Sequence, residues 1–110
     1  MNYNIIATPD FKKYFKKLSK KYPSLKQNLT ELLKNLQVDY SIWISLGGNL
    51  FKIRLAIESK NKGKSGGARV IYFFVAQDSE IYLIHIFDKG EFENIPKAIL
   101  LDLIKNAGLI

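Results

Sequence analysis

The chain opens on a short β-prone run, Tyr3 to Ala7, and then meets Thr8-Pro9, a pair suited to starting a helix. A threonine hydroxyl can accept from a free N–H of the first turn, and proline has no N–H to lose there. Phe11, Tyr14, Phe15 and Leu18 follow at i, i+3, i+4 and i+7, one helical face, with Lys12, Lys13, Lys16, Lys17 and Lys20 around the rest of the circumference. Tyr22-Pro23 interrupts this pattern, because the residue before a proline avoids the helical region, and Leu25, Leu29, Leu32, Leu33 and Leu36 then resume it. Two successive helices are predicted. From Gln37 to Asn49 no period survives, and the segment reads as a loop crossing back over the core.

Beyond it the period changes to two. Phe51, Ile53, Leu55 and Ile57 alternate with Lys52, Arg54, Ala56 and Glu58, giving a strand with one buried face and two cations on the other. After the lysine and glycine run SKNKGKSGG, residues 59–67, come Arg69 to Ala76 and Ile81 to Phe87, apolar on both faces as central strands are, with a turn over Gln77 to Glu80. Pro96 opens a last helix whose Ile99, Leu100, Leu103, Ile104 and Ala107 make a wide apolar face before Gly108 ends it. The predicted order is β, α, α, β, β, β, α. This is an α+β fold in one domain spanning 1–110, with an antiparallel three-stranded meander and helices packed on it.

Composition narrows the chemistry. Seventeen Lys and Arg against 10 Asp and Glu give a formal charge of +7, which favours a polyanionic partner. There is no cysteine, so disulfide scaffolds, zinc ribbons and thiol catalysis are excluded. The sole histidine, His85, leaves no multi-histidine metal site. The start, MNYNIIATPD, lacks the pattern of a secretory signal, and the longest apolar run, Val70 to Ala76, falls far short of the ~20 residues of a membrane span, so a cytoplasmic protein without membrane association is expected.

Gly63-Lys64-Ser65 has the ending of a phosphate-binding P-loop, but Glu58 stands where that motif needs glycine and a strand follows where it needs a helix. Glu58, Asp88, Glu91 and Glu93 lie among lysines without metal-ligand spacing, so a structural ion-pair role is expected for them. His85, between Ile84 and Ile86, reads as a packed core histidine, with an acid–base role as the alternative. Two cationic groups remain. The first helix carries a field of lysines, among them Lys13 and Lys17, which attracts polyanions without fixing geometry. The second group is Lys52, Arg54, Lys60, Lys62, Lys64, Arg69 and Lys89, spread over strands and a loop that a meander can bring together. Arg54 and Arg69 are the only arginines, and both sit where strands meet the glycine loop, so the fork geometry suited to phosphate is local.

Phe51-Lys52-Ile53-Arg54-Leu55-Ala56, the run Ser59 to Tyr72 with its KGKSGG loop and Arg69, and Ile86-Phe87-Asp88-Lys89-Gly90-Glu91 together resemble the RelE/HigB superfamily of type II toxins. The resemblance implies a RelE-like fold and cleavage of mRNA on the ribosome by attack of a ribose 2′-hydroxyl, without metal or cofactor. It also implies a cognate acidic antitoxin that forms a hetero-oligomer with the toxin. It places Arg69 and Arg54 on the scissile phosphate and Lys60, Lys62, Lys64 and Lys89 among the catalytic candidates. Lys52, Phe87, Lys13 and Lys17 become RNA contacts. Many relatives carry tyrosine where this chain has Phe87, which keeps the ring and loses the hydroxyl, leaving His85 as the reserve acid or base. Two other readings fit the sequence: a ParE-like inhibitor of DNA gyrase that cuts nothing, and a basic nucleic-acid-binding domain. The apolar face of the last helix is the expected antitoxin contact, and the glycine loop is expected to serve function and not structure.

Overall fold

The computed structural model describes residues 3–36, 44–58, 67–91 and 94–110. Strand β1 (Asn4–Ala7) is followed by helices α1 (Pro9–Lys21) and α2 (Leu25–Leu36), strands β2 (Ile44–Gly47), β3 (Leu50–Leu55), β4 (Ala68–Val75) and β5 (Glu80–Asp88), and helix α3 (Lys97–Asn106). The strands form one sheet in the order β1-β5-β4-β3-β2. The pairs from β2 to β5 are antiparallel, and β1 joins β5 in parallel. The expected α+β fold and its meander are present.

The helix start is as the sequence predicts. The Thr8 hydroxyl accepts from the Phe11 N–H at 3.2 Å and itself donates to the Leu83 carbonyl at 2.8 Å, capping α1 and pinning its first turn to β5. The stretch predicted as a loop over 37–49 contains β2, which pairs Ile44 with Lys52 and Ser45 with Phe51 across a turn where Gly47, Gly48 and Asn49 all have positive φ. This edge strand buries little, with Ile44 43% exposed, so it leaves no hydrophobic alternation to read; its only signal is the turn chemistry of Gly-Gly-Asn.

Apolar side chains on the two sheet faces form two cores. Phe11, Leu25, Leu29, Ile53, Leu55, Val70, Tyr72, Ile81, Leu83 and Ile86 pack beneath α1 and α2. Leu50, Ile71, Ile84 and Phe87 pack with Leu100, Leu103 and Ile104 of α3 on the other face. The α3 face expected to receive an antitoxin is therefore taken by the chain's own sheet, and only Ile99 and Leu101 stay largely exposed. Amphipathicity alone cannot distinguish a face that closes the fold from one that awaits a partner.

Candidate functional site

Strand register decides which cations meet. Arg54 pairs with Arg69 and Arg69 with Phe87, making one row across β3, β4 and β5. Two residues along, Lys52 pairs with Ile71 and Ile71 with His85, making the next. Side chains two apart on a strand share a face, so Lys52, Arg54, Arg69, His85 and Phe87 all belong to the α3 side of the sheet.

A β-bulge puts the last two there. The β4–β5 register passes from Ile71↔His85 to Tyr72↔Leu83, leaving Ile84 as an extra residue. Unbroken alternation from Ile81 and Leu83 would have turned His85 and Phe87 under α1 and α2. The inserted residue reverses their direction.

Within the patch the arginines differ. Arg69 is 6% exposed and its Nη1 donates to the Ala68 carbonyl at 2.9 Å, while Arg54 is exposed. Burial, and secondarily the neighbouring Arg54 charge, push the Arg69 guanidinium below its ordinary pKa. Such a cation has a fixed position and a weakly screened field.

The start of β4 is fixed by close contacts. A Cβ at Gly67 would collide with the Leu55 carbonyl, and the Gly67 carbonyl accepts from the Lys89 N–H at 3.0 Å, tying the turn after β5 to the strand that carries Arg69. This glycine is structural, contrary to the expectation for the whole loop: neighbouring backbone packs where a side chain would project. Asp88, 3% exposed, accepts from the Tyr22 hydroxyl at 2.7 Å and the Gly90 N–H at 2.8 Å, with Lys21 at 3.9 Å. Lys21 also meets Glu91 at 3.5 Å. These acids act as structural partners, and among the described residues no group of His, Asp and Glu could hold a metal ion.

Beside the cationic rows lies a cleft of about 430 Å³, walled by α1 (Tyr14, Lys17, Leu18, Lys21), β5 (His85, Ile86, Phe87) and the segment leading into α3 (Asn94, Ile95, Pro96, Ile99). It exists because β1 pairs with β5 only as far as Leu83, after which α1 runs along the second half of β5. The Tyr14 and His85 rings meet at 4.2 Å, and His85 contacts Phe87 at 5.9 Å. His85 is 7% exposed, and among the described residues its Nδ1 has no hydrogen-bond partner. Burial lowers its pKa, with Asp10 opposing.

The structure thus gathers Lys52, Arg54, Arg69, His85 and Phe87, with Lys89 half-buried at the end of β5 and Lys17 on the cleft wall. Lys13 is exposed on α1 and does not line the cleft. Phe87, expected to offer a stacking surface, is 4% exposed and belongs to the α3 core, because its ring fills the space beneath that helix. Lys60, Lys62, Lys64 and Glu93 lie outside the described residues. Sequence reasoning missed the α1 wall: Tyr14 and Leu18 read as ordinary members of an apolar stripe.

The fold has counterparts among known proteins. The family model described as the RelE toxin of the RelE/RelB toxin-antitoxin system matches residues 4–108. A double arginine-to-alanine mutant of the E. coli toxin RelE in the free state is 18% identical, with a TM-score of 0.57 over 96% of this chain and 98% of that one. The isolated E. coli RelE toxin in a P21 crystal form is also 18% identical, with a TM-score of 0.53 and the same coverage. At this identity the likeness to the solved structures carries the fold. No helix among the described residues is long and apolar enough to cross a membrane.

Proposed function

The chain belongs to the RelE toxin family of toxin-antitoxin systems, and from that premise we propose that it is a ribosome-dependent mRNA endonuclease restrained by a cognate antitoxin. The observation that carries the reading is the row Arg54–Arg69–Phe87, with Lys52 and His85 in the row beside it, on one sheet face.

In the proposed reaction a ribose 2′-oxygen bonds to the adjacent phosphorus while the bond from phosphorus to the 5′-oxygen breaks. The 2′-hydroxyl proton passes to a base and the leaving 5′-oxygen takes a proton from an acid, so the products are a 2′,3′-cyclic phosphate and a 5′-hydroxyl end. Charge accumulates on the non-bridging oxygens in the transition state, and a positioned guanidinium stabilises it there more than in the ground state. Arg69, buried and anchored, takes that role, with exposed Arg54 as the second clamp. Lys52, Lys89 and the loop lysines Lys60, Lys62 and Lys64 supply proton transfer and further charge, and Lys17 faces the incoming strand. No step in this scheme requires a metal or cofactor. An acidic antitoxin would neutralise the same cations, and the +7 charge supports a partner of that kind.

The test is induction of the protein in cells followed by mapping of RNA 5′ ends. New 5′-hydroxyl ends within codons of translated messages are expected. DNA damage without RNA cuts would replace the reading by gyrase inhibition, and neither outcome would leave a binding domain.

A further inference from the structure

The phosphate chemistry above uses the cations of the two rows and, apart from Lys17 at its wall, assigns no occupant to the α1–β5 cleft beside them. We propose that this cleft receives a single nucleobase of the RNA strand, its face against Tyr14 and its edge hydrogen-bonded to His85, which makes these two residues determinants of sequence preference. The proposal rests on the endonuclease reading for its substrate class and adds what reads the sequence.

Three observations select a base as the occupant. His85 is 7% exposed, and its Nδ1 has no hydrogen-bond partner among the described residues. Buried polar groups are ordinarily paired, so an imidazole kept bare at the wall of a cleft is matched to a partner that arrives from outside. Next, the cleft is largely apolar, with Leu18, Ile95 and Ile99 among its walls, and its ~430 Å³ lies within the range of small-molecule sites. A phosphate there would meet Lys17, but Lys21 is paired with Glu91 and most of the remaining wall is hydrocarbon, so the interior of the cleft does not suit an anion. An aliphatic side chain of a protein partner would fill the volume and leave the imidazole unsatisfied. A nucleobase has flat apolar faces and a donor–acceptor edge, and so meets both demands. Finally, Phe87 of the cleft wall is the register partner of Arg69, so cleft and phosphate clamp are one strand spacing apart, about 5 Å. Burial keeps the imidazole neutral near pH 7, and a neutral ring offers one N–H and one lone pair to a base edge.

The experiment is a titration of the histidine-¹⁵N-labelled chain with each of the four nucleoside 3′-monophosphates and, separately, with inorganic phosphate and an alternating Glu-Leu octapeptide. The readout is the pair of His85 ring nitrogen resonances. Nucleotides should shift them, with at least one base bound several-fold more tightly than the others, and inorganic phosphate should leave them in place. His85→Phe and Tyr14→Leu should each weaken nucleotide binding about tenfold and leave binding of inorganic phosphate unchanged; the second variant keeps the result readable if the first fails to fold. Resonances unmoved by saturating nucleotide, or moved equally by phosphate, would overturn the proposal. A shift produced by the acidic peptide alone would assign the cleft to a protein partner and overturn it as well. Cuts within codons without a His85 response would refute the base cleft alone, while a base-selective response without ribosomal cleavage would refute the endonuclease reading alone.

Discussion

Replacing Arg69 by Gln removes the guanidinium and its charge and keeps a shorter, polar, uncharged side chain. Loss of one positioned donor to a developing oxyanion costs about 2.7–4 kcal/mol, or roughly 10²–10³ in rate. Under the proposed mechanism, Arg69 is expected toward the top of that range and Arg54 below it. A charge's effect scales inversely with the effective dielectric, so moving from ~80 in bulk water to ~20 near a protein surface multiplies it about fourfold at equal distance. Arg69 is 6% exposed and held by the Ala68 carbonyl, whereas Arg54 is exposed. Arg69→Gln should therefore slow cleavage by about 10³ and Arg54→Gln by about 10. Arg69→Lys keeps the charge without the planar fork and should fall between them. Lys13→Ala, on the exposed surface of α1, should cost less than about threefold and mainly flatten the salt dependence. The assay is single-turnover cleavage of labelled mRNA on programmed ribosomes, with circular dichroism to verify that each variant is folded. A folded Arg69→Gln protein that retains a tenth or more of the parent rate would refute the reasoning, as would a larger loss from Arg54→Gln than from Arg69→Gln.

Further outcomes concern the scaffold. Gly67→Ala puts a methyl group against the Leu55 carbonyl, and the backbone shift that relieves it should cost about 1–3 kcal/mol, read as a lower urea midpoint. Tyr22→Phe removes a hydrogen bond to the buried Asp88 carboxylate and should cost about 1.5–3 kcal/mol in the same measurement; an unchanged midpoint would mean that Asp88 is held by other groups. The His85 pKa is lowered on folding from 6.5. Above that value both states are neutral and stability is full; as the pH falls below it the unfolded chain takes up the proton first, so stability declines until the lowered native pKa is passed. The urea midpoint should thus drop as the pH falls through 6.5, and His85→Phe should flatten that drop, whereas an identical slope in both proteins would count against a buried neutral His85.

The parts of the fold that were legible in the sequence are those where one local rule and the tertiary structure agree. Thr8-Pro9 caps α1, the Phe11 to Leu18 stripe packs inward, and the alternation from Phe51 puts Lys52 and Arg54 on one face. Strand β2 was not legible because an exposed edge strand has no buried face to set a period. The apolar stripe of α3 was legible and its partner was not, since a sheet and a foreign chain impose the same pattern. At the site, Arg69 could be singled out as one of only two arginines. That His85 and Phe87 face the same side as Arg69 depends on the bulge at Ile84, which follows from pairing between distant strands. The cleft is less legible still, because its walls come from α1, β5 and the approach to α3.

The central claim is that the cationic face cuts messenger RNA on the ribosome through a 2′-hydroxyl attack. The most direct measurement incubates the purified protein with end-labelled mRNA, free or bound to programmed ribosomes, and identifies the position and chemistry of the new ends. The account predicts cleavage only on the ribosome, within the codon at the decoding site, leaving a 2′,3′-cyclic phosphate and a 5′-hydroxyl, and none of it from folded Arg69→Gln on the same time scale. Intact ribosome-bound mRNA, or cleavage of free mRNA at the same rate, would contradict it.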